Sequence, residues 1–266
     1  MDAVELGNVS VVRGGKHILS SVDLRIARGE NVAIIGPNGS GKTTLVKLIR
    51  GEVLPYYDED DPATFRLFGL ERWNVFELRS RMGIVSMDLQ GRFREETTVR
   101  EVIESGFFSS LDVFRCSIVT PAMESAAESA ARTLGIEGLM DSPIGVVSLG
   151  EMRRALIARA LVTEPEMLVL DEPMTGLDIS MKSRFRAMFD ILMDNGVCIV
   201  MVTHDLTDIP IGIRRIVMVK DGRIIADGPK DELLTDAKAS ELYGEDIRVE
   251  CDDGIYRMHI AGSVIG

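Results

Sequence analysis

The chain has 266 residues, 45% of them hydrophobic, which is ample for a core and allows one large domain or two small ones. Its formal net charge of −12 argues against a broad nucleic-acid surface, because neutralising a phosphate backbone needs clustered Lys and Arg, and no nucleic-acid partner is expected. The longest apolar runs, such as 197–202, are strand-length, and the amino terminus lacks the basic start and apolar run of a secretory signal, so neither a membrane span nor a leader is expected.

Residues 5–12 and 18–26 alternate apolar and polar side chains around Arg13-Gly-Gly-Lys16, which predicts an antiparallel hairpin. The continuous apolar run 31–35 suits a parallel strand covered on both faces. It leads into Gly36-Pro37-Asn38-Gly39-Ser40-Gly41-Lys42-Thr43-Thr44 and then a helical stretch up to Gly51. Gly36, Gly41, Lys42 and Thr43 satisfy G-x-x-x-x-G-K-[ST], whose glycines let consecutive backbone N–H groups curl around a phosphate. The following helix aims the positive end of its dipole at the same phosphates, Lys42 can reach the β and γ oxygens, and the Thr43 hydroxyl can sit on Mg²⁺. The plain alternative is a glycine turn; the strand before the loop and the helix after it favour a nucleoside triphosphate with its metal.

Pro55-Tyr-Tyr-Asp-Glu-Asp-Asp-Pro62 reads as a solvated acidic loop. A strand at 64–68, a short helix at 77–81 and a strand at 82–87 follow. From 95 to about 165 helix formers dominate, predicting a helical lobe inserted into an α/β core. Inside it, Ser148-Leu-Gly-Glu151 stands before a helix predicted over 152–162, both as a capping box and, with Gly150, as an anion site of exposed N–H groups.

The apolar strand 167–170 ends in Asp171-Glu172-Pro173, placing two acids in the crevice where open α/β sheets bind ligands. Asp171 suits Mg²⁺ held through water, and Glu172 can polarise an attacking water; the plain alternative is a strand ended by solvated acids. A turn at 174–178, a helix to 194 capped by Asn195-Gly196, and a buried strand at 197–203 bring His204 to the same edge, where it can contact a γ-phosphate. The chain closes with strands at 215–219 and 223–226, a short helix near 231–234 and an alternating stretch at 247–260 around Asp252-Asp-Gly254. His17 and His259 fall in hairpin-like regions and carry no functional reading. Cys116, Cys198 and Cys251 are far apart with no C-x-x-C pair, so neither a disulfide framework nor a zinc site is expected, and a reducing cytosol fits.

Phosphate loop, Ser-x-Gly-Glu before a helix, strand ending Asp-Glu-Pro, Gly-Leu-Asp and strand-terminal His, in that order over 36–204, resemble the ATP-binding cassette (ABC) ATPases, and the resemblance covers 5 to about 243. It implies a P-loop α/β core with an N-terminal antiparallel β subdomain and an inserted helical lobe. It also implies one domain over 1–266: core 1–90 and 165–245, lobe about 91–164, C-terminal β extension about 246–266.

By the same resemblance ATP and Mg²⁺ are the ligands, Glu172 is the base, Lys42 and His204 serve the γ-phosphate, and Ser148, Gly150 and Glu151 close over the nucleotide of a head-to-tail partner. Gly176, Leu177 and Asp178 match the loop that joins the two sites. The partner is a second copy or a similar cassette, and separate transmembrane permease subunits are implied, with the chain cytoplasmic on the inner face of the membrane.

Three positions depart from the family pattern. Arg13 stands where an aromatic stacks on adenine, the glutamine that touches the metal is Gln90 with Met87 and Asp88 as alternatives, and Leu149 replaces the first signature glycine. These departures look most like the molybdate and iron-chelate import branch. The competing readings are a soluble ABC protein switching a macromolecular complex, and a small-molecule kinase in which Ser148 has no role.

Overall fold

The computed structural model describes residues 2–108 and 118–262, and of positions 75, 76, 87, 88 and 90 it describes the backbone alone; Cys116 lies outside the described residues. Strands β1 (Asp2–Arg13) and β2 (Lys16–Ala27) form the expected hairpin, with Arg13 opposite Lys16. The short strand β3 (Val32–Ile35) precedes the loop, and helix α1 (Lys42–Ile49) follows it. Next come β4 (Thr64–Leu67), α2 (Val75–Arg81) and β5 (Met82–Ser86), then the lobe helices α3 (Val99–Glu104), α4 (Pro121–Thr133) and α5 (Leu149–Leu161). The second half holds β6 (Met167–Asp171), α6 (Ile179–Asp194), β7 (Ile199–Thr203), β8 (Arg215–Lys220), β9 (Arg223–Pro229), α7 (Lys230–Leu233), α8 (Asp236–Tyr243), β10 (Ile247–Asp252) and β11 (Ile255–Ile260).

The central sheet has the order β5-β6-β7-β3-β8-β9, with β9 antiparallel to β8 and every other neighbouring pair parallel. Side chains of a strand alternate between faces, and the burial pattern follows that alternation into two cores. Ala33, Ile35, Leu168, Leu170, Ile199, Met201, Ile216 and Met218 enter the core shared with α5, α6 and the lobe. Val32, Ile34, Met167, Val169, Val200, Val202, Val217 and Val219 enter the core beneath α1 and the hairpin. The uninterrupted apolar strands of the sequence are therefore strands covered on both faces.

Four details depart from the sequence reading. β4 joins the hairpin, pairing Val4 with Leu67 and Gly7 with Thr64, to make the three-stranded sheet β2-β1-β4. The strand expected from 197 begins at Ile199, because the Val197 N–H still bonds to the Leu192 carbonyl at the end of α6. The signature helix starts three residues before its expected position, at Leu149, directly after the Ser148 cap. Helix α8 was not expected: half of its segment is polar and it buries only Ala239 and Leu242, so it lacks a strong apolar period, yet Thr235 caps it and Gly244 ends it at φ 77°. Among the described residues no helix is long and apolar enough to cross a membrane.

Candidate functional site

The loop between β3 and α1 is pressed against the sheet. A Cβ on Gly36 would lie 2.1 Å from the Val219 carbonyl oxygen, so only glycine permits the approach to β8. Gly41 turns the chain at φ 105° into α1, whose first turn has neither a side-chain cap nor an acidic residue. Its first N–H groups are left for an anion. The buried Lys42 ammonium donates to the carbonyls of Gly36 at 2.7 Å and Pro37 at 2.9 Å. Burial lowers its pKa, while the charges of Glu172 and Asp171 act to raise it. The buried Ser40 hydroxyl has no hydrogen-bond partner among the described residues.

The acidic edge is assembled by strand register. Ser86 at the end of β5 pairs with Asp171 at the end of β6, Asp171 with Val202, and Thr203 at the end of β7 with Ile35. The carboxyl ends of four strands thus meet beside the loop. Glu172 adopts φ 51°, a left-handed conformation that costs a non-glycine residue roughly 1 kcal/mol, and its N–H is satisfied by the Val202 carbonyl at 2.9 Å. His204 Nδ1 lies 2.8 Å from both Glu172 carboxylate oxygens. An ionised carboxylate only accepts, so Nδ1 carries the proton there and Nε2 is free of that contact. The Thr175 hydroxyl donates to Glu172 Oε2 at 3.2 Å, and buried Arg153 from α5 donates to the carbonyls of Pro173 at 2.9 Å and Thr175.

These elements enclose a cleft of about 580 Å³. Of the residues singled out by sequence, Asn38, Gly39, Gly41, Lys42, Thr43, Thr44, Asp171, Glu172 and His204 line it, with Gly36, Pro37 and Ser40 forming the loop beneath. Ile18, Ser86, Thr175 and Val202 line it too and were not singled out. A hydroxyl closing the apolar run 82–86 was the available signal for Ser86; Thr175 is recognisable only through its bond to Glu172. The Thr43 hydroxyl and Asp171 carboxylate are hard oxygen donors, the kind Mg²⁺ takes in ones and twos while phosphates and water complete its shell.

Three expected groups are not among the described residues that line the cleft. Arg13 ends β1, exposed, and is not among the residues lining the cleft. Gln90 sits on a 3₁₀ turn, Met87–Arg92, directly after β5, and its side chain lies outside the description. Ser148, Gly150 and Glu151 open α5 away from the cleft lining: the Glu151 N–H donates to Ser148 Oγ at 3.4 Å, and Glu151 Oε2 accepts from the Ser148 N–H at 2.7 Å. The Ser148 hydroxyl and N–H hold the Glu151 carboxyl below its usual pKa.

The family model for ABC transporters matches residues 19–175, from β2 through the phosphate loop and signature helix to the acidic edge. The chain belongs to the ABC transporter family. It is an ATP-hydrolysing, ATP-binding subunit of that family, built on the ABC ATPase fold. The cassette is 32% identical over 244 residues to the zinc import ATP-binding protein ZnuC of Pseudomonas putida, covering 91% of this chain and 84% of the relative. It is 34% identical over 225 residues to the ABC transporter ATP-binding protein ModF of Escherichia coli, covering 82% of this chain and 45% of that protein's length. Among solved structures it resembles cbiO1 of Clostridium perfringens, described as part of the ABC transporter complex cbiONQ, with TM-score 0.76, 26% identity and coverage of 90% and 93%. It also resembles the cassette MJ0796, seen as a dimer in a post-hydrolysis state bound to ADP and Pi, with TM-score 0.69, 25% identity and coverage of 85% and 98%.

Proposed function

We propose that the cassette binds ATP with Mg²⁺ in this cleft and that hydrolysis there drives separate membrane-spanning subunits of a solute transporter. The observation that carries the reading is the convergence of Lys42, Thr43, Asp171, Glu172 and His204 on one cleft at one sheet edge. Lys42 and the backbone N–H groups of the loop hold the β and γ phosphates, Glu172 polarises the attacking water, and His204, oriented by its contact with Glu172, reaches the γ-phosphate. Thr43 and Asp171, with Gln90 as a third contact, would hold Mg²⁺, whose charge offsets that of the phosphates. Arg13 lays its guanidinium on the adenine from the hairpin turn.

Ser148, Gly150 and Glu151 act on the triphosphate of a second copy or a similar cassette. The exposure of Ser148 and the absence of all three from the cleft lining of their own chain favour that arrangement, as does the dimer formed by MJ0796. Import is the direction favoured by the relatives named zinc import proteins, and the cassette then works on the cytoplasmic side, peripheral to the membrane.

Glu172→Gln should leave ATP affinity within about threefold, lower turnover by at least about 100-fold and accumulate an ATP-bound dimer on gel filtration. Full turnover in this variant would move the base elsewhere. Tagged cassette that never fractionates with membranes would sink the transporter half of the reading and leave a soluble switch.

A further inference from the structure

The segment that carries His204 is tied to α6 as well as to the end of its own strand. The Lys182 ammonium lies 2.6 Å from Asp205 Oδ2 and 2.7 Å from Asp208 Oδ1, and Asp208 is 1% exposed. Thr203 donates to Asp208 Oδ2 at 3.1 Å and accepts the Asp205 N–H at 3.1 Å, so both residues flanking the histidine belong to the network. One turn further along α6, Arg186 donates to the Thr207 carbonyl at 2.6 Å. The Lys182 N–H itself bonds to the Asp178 carbonyl at 2.9 Å, and Asp178 caps α6 by accepting the Met181 N–H at 2.8 Å. Lys182 therefore stands in the first turn after the Gly176–Asp178 loop and grips the chain on the far side of His204.

We propose that Lys182 is the positioning residue of His204, linking the start of α6 to the Glu172–His204 pair so that a displacement at Asp178 is felt at the γ-phosphate side of the cleft. The inference rests on the reading of Glu172 and His204 as the hydrolytic pair. Its physical basis is charge. Burial raises the Asp208 carboxyl, with Lys182 pulling it back, and Lys182 with Thr207 holds Asp205 below its usual pKa against the same burial. Arg153 from α5 and Tyr243 from α8 also feel these carboxylates, and the Tyr243 hydroxyl donates to the His204 carbonyl at 3.1 Å. Without the ammonium, the two neighbouring carboxylates repel within the turn that directly follows the histidine. One proton shared between them relieves that repulsion.

The experiment is steady-state ATP hydrolysis and ATP binding from about pH 8 to about pH 6 for the wild type, Lys182→Met, Lys182→Gln, Lys182→Arg and His204→Ala. The expected result is a fall in kcat of about tenfold or more in Lys182→Met with ATP Kd within about twofold, since a catalytic group misplaced by about 1 Å loses up to about 100-fold. The ratio of that variant's kcat to the wild type should rise as the pH falls, and Lys182→Arg should restore most of the rate. Lys182→Gln, which keeps a donor and removes the charge, gives the same comparison if Lys182→Met does not fold. A wild-type kcat in both neutral variants beside an inactive His204→Ala overturns the positioning role alone. So does a kcat ratio flat with pH, or a loss of Kd in step with kcat. Wild-type turnover in His204→Ala removes the reading of His204 and overturns the inference with it.

Discussion

Helices α1 and α5 each have a glycine at or beside their first turn, Gly41 and Gly150, and their amino ends differ in one respect that decides what each can do. The start of α1 is left open: Gly41 supplies no side-chain cap, no acid sits in the first turn, and the nearest charge is the Lys42 ammonium, held on the loop's own carbonyls. The start of α5 is closed by a reciprocal capping box in which Glu151 already supplies a negative charge. The first end lacks an anion at any of its donors, whereas the second already holds an acid of its own at two of them. The packing behind them differs in the same sense. Gly36 backs onto the Val219 carbonyl, while a Cβ on Gly150 would meet the terminal methyl of Met181 at 2.0 Å, the free end of a flexible side chain. The cradle is built against backbone, and the signature end is cushioned.

The difference can be tested by loading each end in turn. Gly36→Ala forces a methyl group onto a backbone oxygen that cannot yield, and a loss of about 3 kcal/mol in unfolding free energy is expected from denaturant titration. A loss below about 1 kcal/mol would mean that the loop rearranges freely and is not moulded by β8. Lys42→Ala removes a buried ammonium, now held on the Gly36 carbonyl, and with it the charge-assisted bonds proposed to phosphate; ATP affinity should fall by about 100-fold in equilibrium binding, equivalent to about 2.7 kcal/mol. Unchanged affinity would show that the phosphates sit elsewhere. Gly150→Ala is the mildest: Met181 can move aside, and alanine regains up to about 1 kcal/mol of helix propensity, so the melting transition should shift by the equivalent of about 1 kcal/mol or less in either direction. A destabilisation matching that of Gly36→Ala would erase the contrast between the two ends.

Much of this was legible in the chain before any contact was known. The loop 36–44, the capping box 148–151, the acids closing β6 and the histidine closing β7 are local patterns, because turns, caps and strand ends are set by residues a few positions apart. The apolar runs likewise announced strands covered on both faces. Other features rest on residues far apart in sequence. The insertion of β3 between β7 and β8 brings Lys42 to Glu172, and the pairing of Ser86 with Asp171 adds a hydroxyl to the cleft. The grip of Lys182 on Asp205 and Asp208 spans more than a helix. Ile18 marks the boundary from the other side: the sequence singled out Arg13 of that hairpin for the adenine, and the fold adds Ile18 of the same hairpin to the cleft lining. Local sequence determined which groups stand at the strand ends, since it sets the backbone conformation there. Only the packing of the sheet decided which of those ends are neighbours, since strand order and register arise from side chains that meet after the chain has folded.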